Sequence, residues 1–167
     1  MSDATSSSTS VTSAPIYADR NSGENFPDAT SMVDAYLVRF SRRAALRDAG
    51  GERIEPHLDE GGYAQIQRGS AIIGINVLEE QGVLMVFSPI MPVPLAGREA
   101  FYRRLLELSF VTTSDASFAV NAQRDEVVVR CLRRLSALDY EEFEDILATV
   151  GEVADRWDDE LIKEFGA

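Results

Sequence analysis

The chain has 167 residues, 45% of them hydrophobic and 26% charged, which is ordinary for a soluble globular protein and enough for one domain with a real core. Cys131 is the only cysteine, so neither an intrachain disulfide nor a cysteine-based zinc site can form. The net charge of −12 is uneven: residues 139–167 carry −9, residues 1–30 carry −3 and the middle is neutral, a surface that repels phosphates and disfavours nucleic acid and anionic membranes as partners.

Residues 1–29 are rich in Ser, Thr, Asp and Gly without apolar periodicity, and read as a disordered leader preceding a domain over 30–167. The opening "MSDATSSSTSVTSAP" lacks the basic and apolar regions of a secretory signal. No stretch reaches the roughly 18 apolar residues of a membrane span. A cytoplasmic protein is expected.

From Ser31 a helix is signalled, with Asp34 at capping-box spacing and Gly50-Gly51 as its stop. Val33, Tyr36, Leu37, Phe40 and Ala44 recur on one face. Three strand-like runs follow: "YAQIQRG" from Tyr63, "AIIGINVL" from Ala71 and "VLMVFSPI" from Val83. Their connections are so short that the strands must be antiparallel neighbours. The second and third runs are apolar at nearly every position, so one face of the sheet should pack on helices and the other should meet something else.

After Pro89, Pro92 and Pro94, "GREAFYRRLLELSF" makes a short helix with Phe101, Leu105 and Leu108 on one stripe. Phe118–Asn121 and Glu126–Leu132 then form a hairpin around residues 122–125. The last helix has the strongest local signal. Asp139 caps it, Glu142 stands at the reciprocal position, and Leu138 with Phe143 makes a hydrophobic staple. Ile146, Leu147, Val150, Ala154, Trp157 and Leu161 continue the apolar face, and the acids take the other. The order α-β-β-β-α-β-β-α predicts an α+β domain: about five antiparallel strands and three helices.

Chemistry is sparse. His57, the only histidine, lies in "RIEPHLDEGG"; Glu55, Asp59 and Glu60 beside it could in principle complete a metal site, but such a loop is more often simply solvated. No nucleophile elbow, phosphate-binding loop or dinucleotide fingerprint is present. A working acid/base pair needs desolvation, and adjacent carboxylates such as Glu79-Glu80 and Asp158-Asp159 will be wet. Arg103-Arg104 and Arg133-Arg134 could meet an anion, but scattered arginine with almost no lysine reads more simply as genome composition. Cys131, in the apolar run from Val127 to Leu132, reads as core. No enzyme, metal or cofactor is expected.

The run from Phe101 to Leu147 resembles the second half of the type III secretion chaperone-like fold, a superfamily that includes the Tir-chaperone (CesT-like) and YbjN-like proteins. The resembling features are the Leu-Leu-x-Leu-x-Phe helix end at Leu105–Phe110, the small-residue strand "ASFAVNAQRDEVVVR", and the Leu-x-x-Leu-Asp-x-Glu-x-Phe start of a long helix carrying Trp157. The resemblance implies an acidic cytoplasmic homodimer without cofactor that holds a client polypeptide on helix and sheet surfaces. A YbjN-like regulatory domain, acting through protein contacts or a small ligand, is the alternative. For the client surface the expected residues are Val33, Tyr36, Leu37, Phe40, Ile72 and Ile75. For the dimer interface they are Phe101, Leu105, Leu108, Phe118 and Val120.

Overall fold

A computed structural model describes residues 17–48, 50–111 and 113–166. Two very short strands, β1 (Tyr17–Ala18) and β2 (Asn25–Phe26), precede helix α1 (Ala29–Ala44). A five-stranded sheet follows from β3 (Tyr63–Arg68), β4 (Ala71–Leu78), β5 (Val83–Pro92), β6 (Ser117–Asn121) and β7 (Glu126–Arg134). Helix α2 (Arg98–Val111) joins β5 to β6, and α3 (Tyr140–Phe165) ends the domain. The expected α+β order is observed.

The sheet order is β3-β4-β5-β7-β6, antiparallel throughout. Short turns dictate the β3-β4-β5 meander and the β6-β7 hairpin; the crossover through α2 lets β7 lie beside β5 and leaves β6 at the edge. Gly82, at a left-handed φ of 65°, closes the β4-β5 connection, where a side chain would be strained. The pairing of β5 with β7 slips between Pro89 and Met91; a proline, which cannot donate to the ladder, is at home beside such an irregularity.

Strand alternation sends Ile73, Ile75, Val77, Leu84, Val86, Val127, Val129 and Cys131 into the core, where all are buried. Helix α3 lies across β4, β5 and β7, with α1 beside it against β4. Phe143, Ile146, Leu147, Val150, Ala154, Trp157 and Leu161 form its buried stripe, and the acids from Glu141 to Glu164 line its wet side. Helix α2 packs against β6 and reaches the end of α3 through Phe101 and Phe165, whose rings are 5.0 Å apart.

Two expectations are corrected here. The first helix starts three residues earlier than its pattern suggests: Asp28, not Ser31, is the N-cap, and its carboxylate accepts the Ser31 amide at 2.6 Å. The helix ends on Ala45 in the left-handed region, before the two glycines. The domain also begins before residue 30. Of the expected leader, residues 1–16 lie outside the described residues, but residues 17–29 are built into the fold.

The anchor of that segment is Asp19, only 1% exposed. One carboxylate oxygen accepts the amides of Asn21 (2.9 Å) and Ser22 (2.8 Å). The other accepts the Tyr36 hydroxyl from α1 (2.8 Å) and the Tyr140 amide at the first turn of α3 (3.0 Å). The charge therefore sits where the α3 dipole favours an anion. Burial alone would raise its pKa; the Ser22 amide, the Tyr36 hydroxyl and the Tyr140 amide outweigh that and hold it at about 2. Around it Phe26, Tyr140 and Phe143 pack on the Tyr36 ring at 5.7–5.8 Å, and the Arg39 guanidinium stacks 3.8 Å over Tyr140. The Tyr36 hydroxyl, desolvated and beside Asp19, is held well above its ordinary pKa.

Candidate protein-binding surface

The side of the sheet turned away from α1 and α3 carries the second set of alternating side chains. Cross-strand register puts them in rows: Tyr63, Asn76, Met85 and Leu132 in one, and Gln65, Gly74, Phe87 and Arg130 in the next. Ile72 lies beyond, opposite Gln67. Ile72 is 47% and Leu132 40% exposed, while Tyr63, Met85 and Phe87 are half-buried among their own neighbours. Gly74 makes this surface possible: a Cβ there would lie 2.5 Å from the Phe87 ring, so only glycine lets that ring rest on β4. Phe87 in turn packs against Tyr63 with ring centroids 6.4 Å apart. The result is an apolar floor, broken by Asn76 and bordered by Gln65, Gln67, Arg130 and Arg134, the pattern expected of a binding surface.

A second apolar feature lies on α2. Leu106 and Phe110 stand four residues apart on its outward side, 72% and 85% exposed, with Tyr102 one turn before them partly buried against the core. Val120, on the adjoining edge strand β6, is also exposed.

The residues expected to touch a client mostly lie elsewhere. Val33, Tyr36, Leu37 and Phe40 are the buried stripe of α1, and Ile75 points inward from β4. Packed against the domain's own core, they offer no surface; only Ile72 faces out. Of the residues expected at a dimer interface, Phe101, Leu105 and Leu108 are core, Phe118 is partly buried against it, and Val120 is exposed. Apolar periodicity marks the stripe that packs most deeply, so it selects core before interface. What would have found the outer face is the uninterrupted apolar character of β4 and β5, read with register: strand side chains that do not face the core must face something else.

The polar clusters are engaged structurally. His57 Nδ1 meets Asp34 at 2.9 Å, and Asp34 also accepts the Leu58 amide at 2.8 Å, fixing the loop after α1. Glu55 pairs with Arg42 at 2.7 Å, and Asp59 accepts the Gly61 and Tyr63 amides. Among the described residues no group of three metal-ligating side chains converges. A cavity of about 280 Å³ opens beside Cys131 and Arg133, but Arg133 is held between Asp115 and Glu142. Burial pushes the Cys131 thiol up, away from a reactive thiolate. Among the described residues no helix is long and apolar enough to cross a membrane.

Several solved structures share this fold. The crystal structure of the ExsC–ExsE complex aligns with TM-score 0.62 and 23% identity, over 80% of this chain and 96% of that one. The HopA1–SchA chaperone–effector complex gives 0.60 and 10%, over 77% and 94%. The ExoU–SpcU complex from the type III secretion system of Pseudomonas aeruginosa gives 0.53 and 16%, over 79% and 96%. Identities this low establish a common fold. No curated protein matches the sequence. The family model of the Tir chaperone protein (CesT) family matches residues 55–158, the sheet, α2 and most of α3. With well over half its length inside that match, the chain belongs to the Tir chaperone protein (CesT) family.

Proposed function

We propose that this chain is a non-enzymatic chaperone that holds a segment of a client protein, and that it works as a homodimer without a cofactor. The observation that carries the reading is the uncovered apolar floor around Ile72, Met85, Phe87 and Leu132, on a domain of the Tir chaperone family. A surface of that kind binds a polypeptide by burying side chains, a task that requires no bond-making step. One of the similar structures is a complex of a chaperone with an effector, which supports a polypeptide as the occupant. For the client surface Ile72 is kept from the expected set, joined by Met85, Phe87 and Leu132.

The test is retention. The whole chain, immobilised and exposed to extract from its own cells, should keep one polypeptide through a moderate-salt wash, and hydrogen exchange should slow in β4, β5 and β7 of the complex. Failure to retain any polypeptide would remove the reading.

For the dimer, the outward stripe of α2 replaces the buried one, with Tyr102, Leu106 and Phe110 as contacts and Val120 beside them. Leu106→Glu combined with Phe110→Glu is expected to halve the mass seen by light scattering while changing stability by no more than about 0.5 kcal/mol, because both side chains are wet within one protomer. A dimer that survives both changes would place the interface on another surface.

A further inference from the structure

The middle of the outer sheet face carries two arginines and no carboxylate. Along β7, Arg130, Leu132 and Arg134 are registered opposite Phe87, Met85 and Val83, so all three belong to the outer rows. Arg133, between them, points the other way and is neutralised by Asp115 and Glu142. Arg130 and Arg134 have no such partner: no carboxylate among the described residues lies within ion-pair distance of either. The outer positions of β3, β4 and the first part of β5 are neutral: Tyr63, Gln65, Gln67, Ile72, Gly74, Asn76, Met85 and Phe87. Glu126 stands at the far end of β7 and is engaged by Asn121 at 3.2 Å. The acids of α3 lie on the opposite side of the domain. A protein with net charge −12 thus presents a basic, apolar sheet face and an acidic helix face.

We infer that the client segment held on this face is acidic and extended, with carboxylates four residues apart and an apolar residue midway between them. The inference deepens the chaperone reading and rests on it. Arg130 and Arg134 are separated by four strand residues, about 13 Å at the usual rise, which is also the span of four residues in an extended peptide. A segment running along β7 therefore sets both carboxylates on the guanidiniums and its central side chain against Leu132 and Met85. Arginine suits the role because its planar fork grips a carboxylate through two bonds while its stem adds to the apolar floor. The acidic helix side repels such a segment and the sheet side attracts it, so the field of the whole molecule directs docking to one face.

The probe is a fluorescein-labelled peptide built on the repeat Glu-Thr-Leu-Thr, with two controls in which Gln or Lys replaces every Glu, titrated by anisotropy into the full chain. The acidic peptide should bind, and its affinity should fall as salt is added. Arg130→Ala with Arg134→Ala should weaken it by about tenfold, the effect of losing two half-exposed ion pairs. Reversing both charges, Arg130→Glu with Arg134→Glu, should transfer preference to the Lys peptide, a gain that misfolding cannot imitate. Equal binding of the Gln or Lys peptide by the unaltered chain, an unchanged affinity in the alanine pair, or no binding of the acidic peptide would each overturn the inference. A fall from dimer to monomer in the charge-reversed chain would assign the face to a second copy and overturn it too. If the alanine pair still retains the cellular client as well as the unaltered chain does, the chaperone reading stands and this inference alone fails.

Discussion

Replacing Asp19 with alanine is expected to lower the free energy of unfolding by about 3 kcal/mol, read from the shift in urea midpoint. The substitution leaves the Tyr36 hydroxyl and the Tyr140 amide without their buried acceptor and removes the anion from the start of α3. Asparagine should recover part of the loss, since its oxygen can still accept but carries no charge. The same carboxylate makes stability depend on acidity. Its pKa is about 2 in the folded chain against an ordinary 3.8, so the folded state binds the proton more weakly than the unfolded one. The resulting contribution, about 2 kcal/mol, is fully present above pH 3.8 and is lost as pH falls through about 2. Urea titrations between neutral pH and pH 2 should show this loss in the natural chain and a flatter profile in Asp19→Asn. Parallel profiles would mean that other carboxylates govern acid unfolding.

Phe143→Ala is expected to cost about 3–5 kcal/mol, the usual range for emptying a fully buried aromatic site. The ring lies on the first turn of α3, 5.8 Å from that of Tyr36, so it joins the two helices on the core side of the sheet. Phe110→Ala, which removes the same atoms from an exposed position on α2, should change the stability of a protomer by less than about 0.5 kcal/mol. Thermal melts of the two variants at a concentration favouring monomer would separate them. Comparable losses would mean that Phe110 is covered within the protomer.

Both phenylalanines sit in helical apolar patterns, and the sequence alone does not say which is core. Local chemistry was legible where a few neighbouring residues decide the outcome. Asp139 caps α3 with its carboxylate on the Glu142 amide at 2.9 Å, as the spacing of those residues implies. The strands of the meander and the β6-β7 hairpin follow from short polar turns between apolar runs. Asp34 was harder, because its spacing from Ser31 imitates a capping box while its carboxylate serves the distant loop at His57 and Leu58. Asp19 left only the sign of a turn, through its bonds to the Asn21 and Ser22 amides; the partners that make it an anchor, at 36 and 140, are close only after folding. The candidate surface was legible as a statement about β4 and β5, that two apolar faces need two covers. Which side chains belonged to which face required register, and register is set by pairing across the sheet.

The hairpin that carries Asp19 also bears on how this protein should be handled. Trimming the chain to start at residue 30, the boundary its composition invites, would remove Phe26 from the Tyr36 ring and leave Tyr36 and Tyr140 facing solvent at the junction of two helices. Such a shortened protein would become adhesive at that junction for reasons unrelated to its biology. Polypeptides it captured would report an artificial wound in the core, and a pull-down made with it would resemble chaperone activity whether or not the natural protein possesses any.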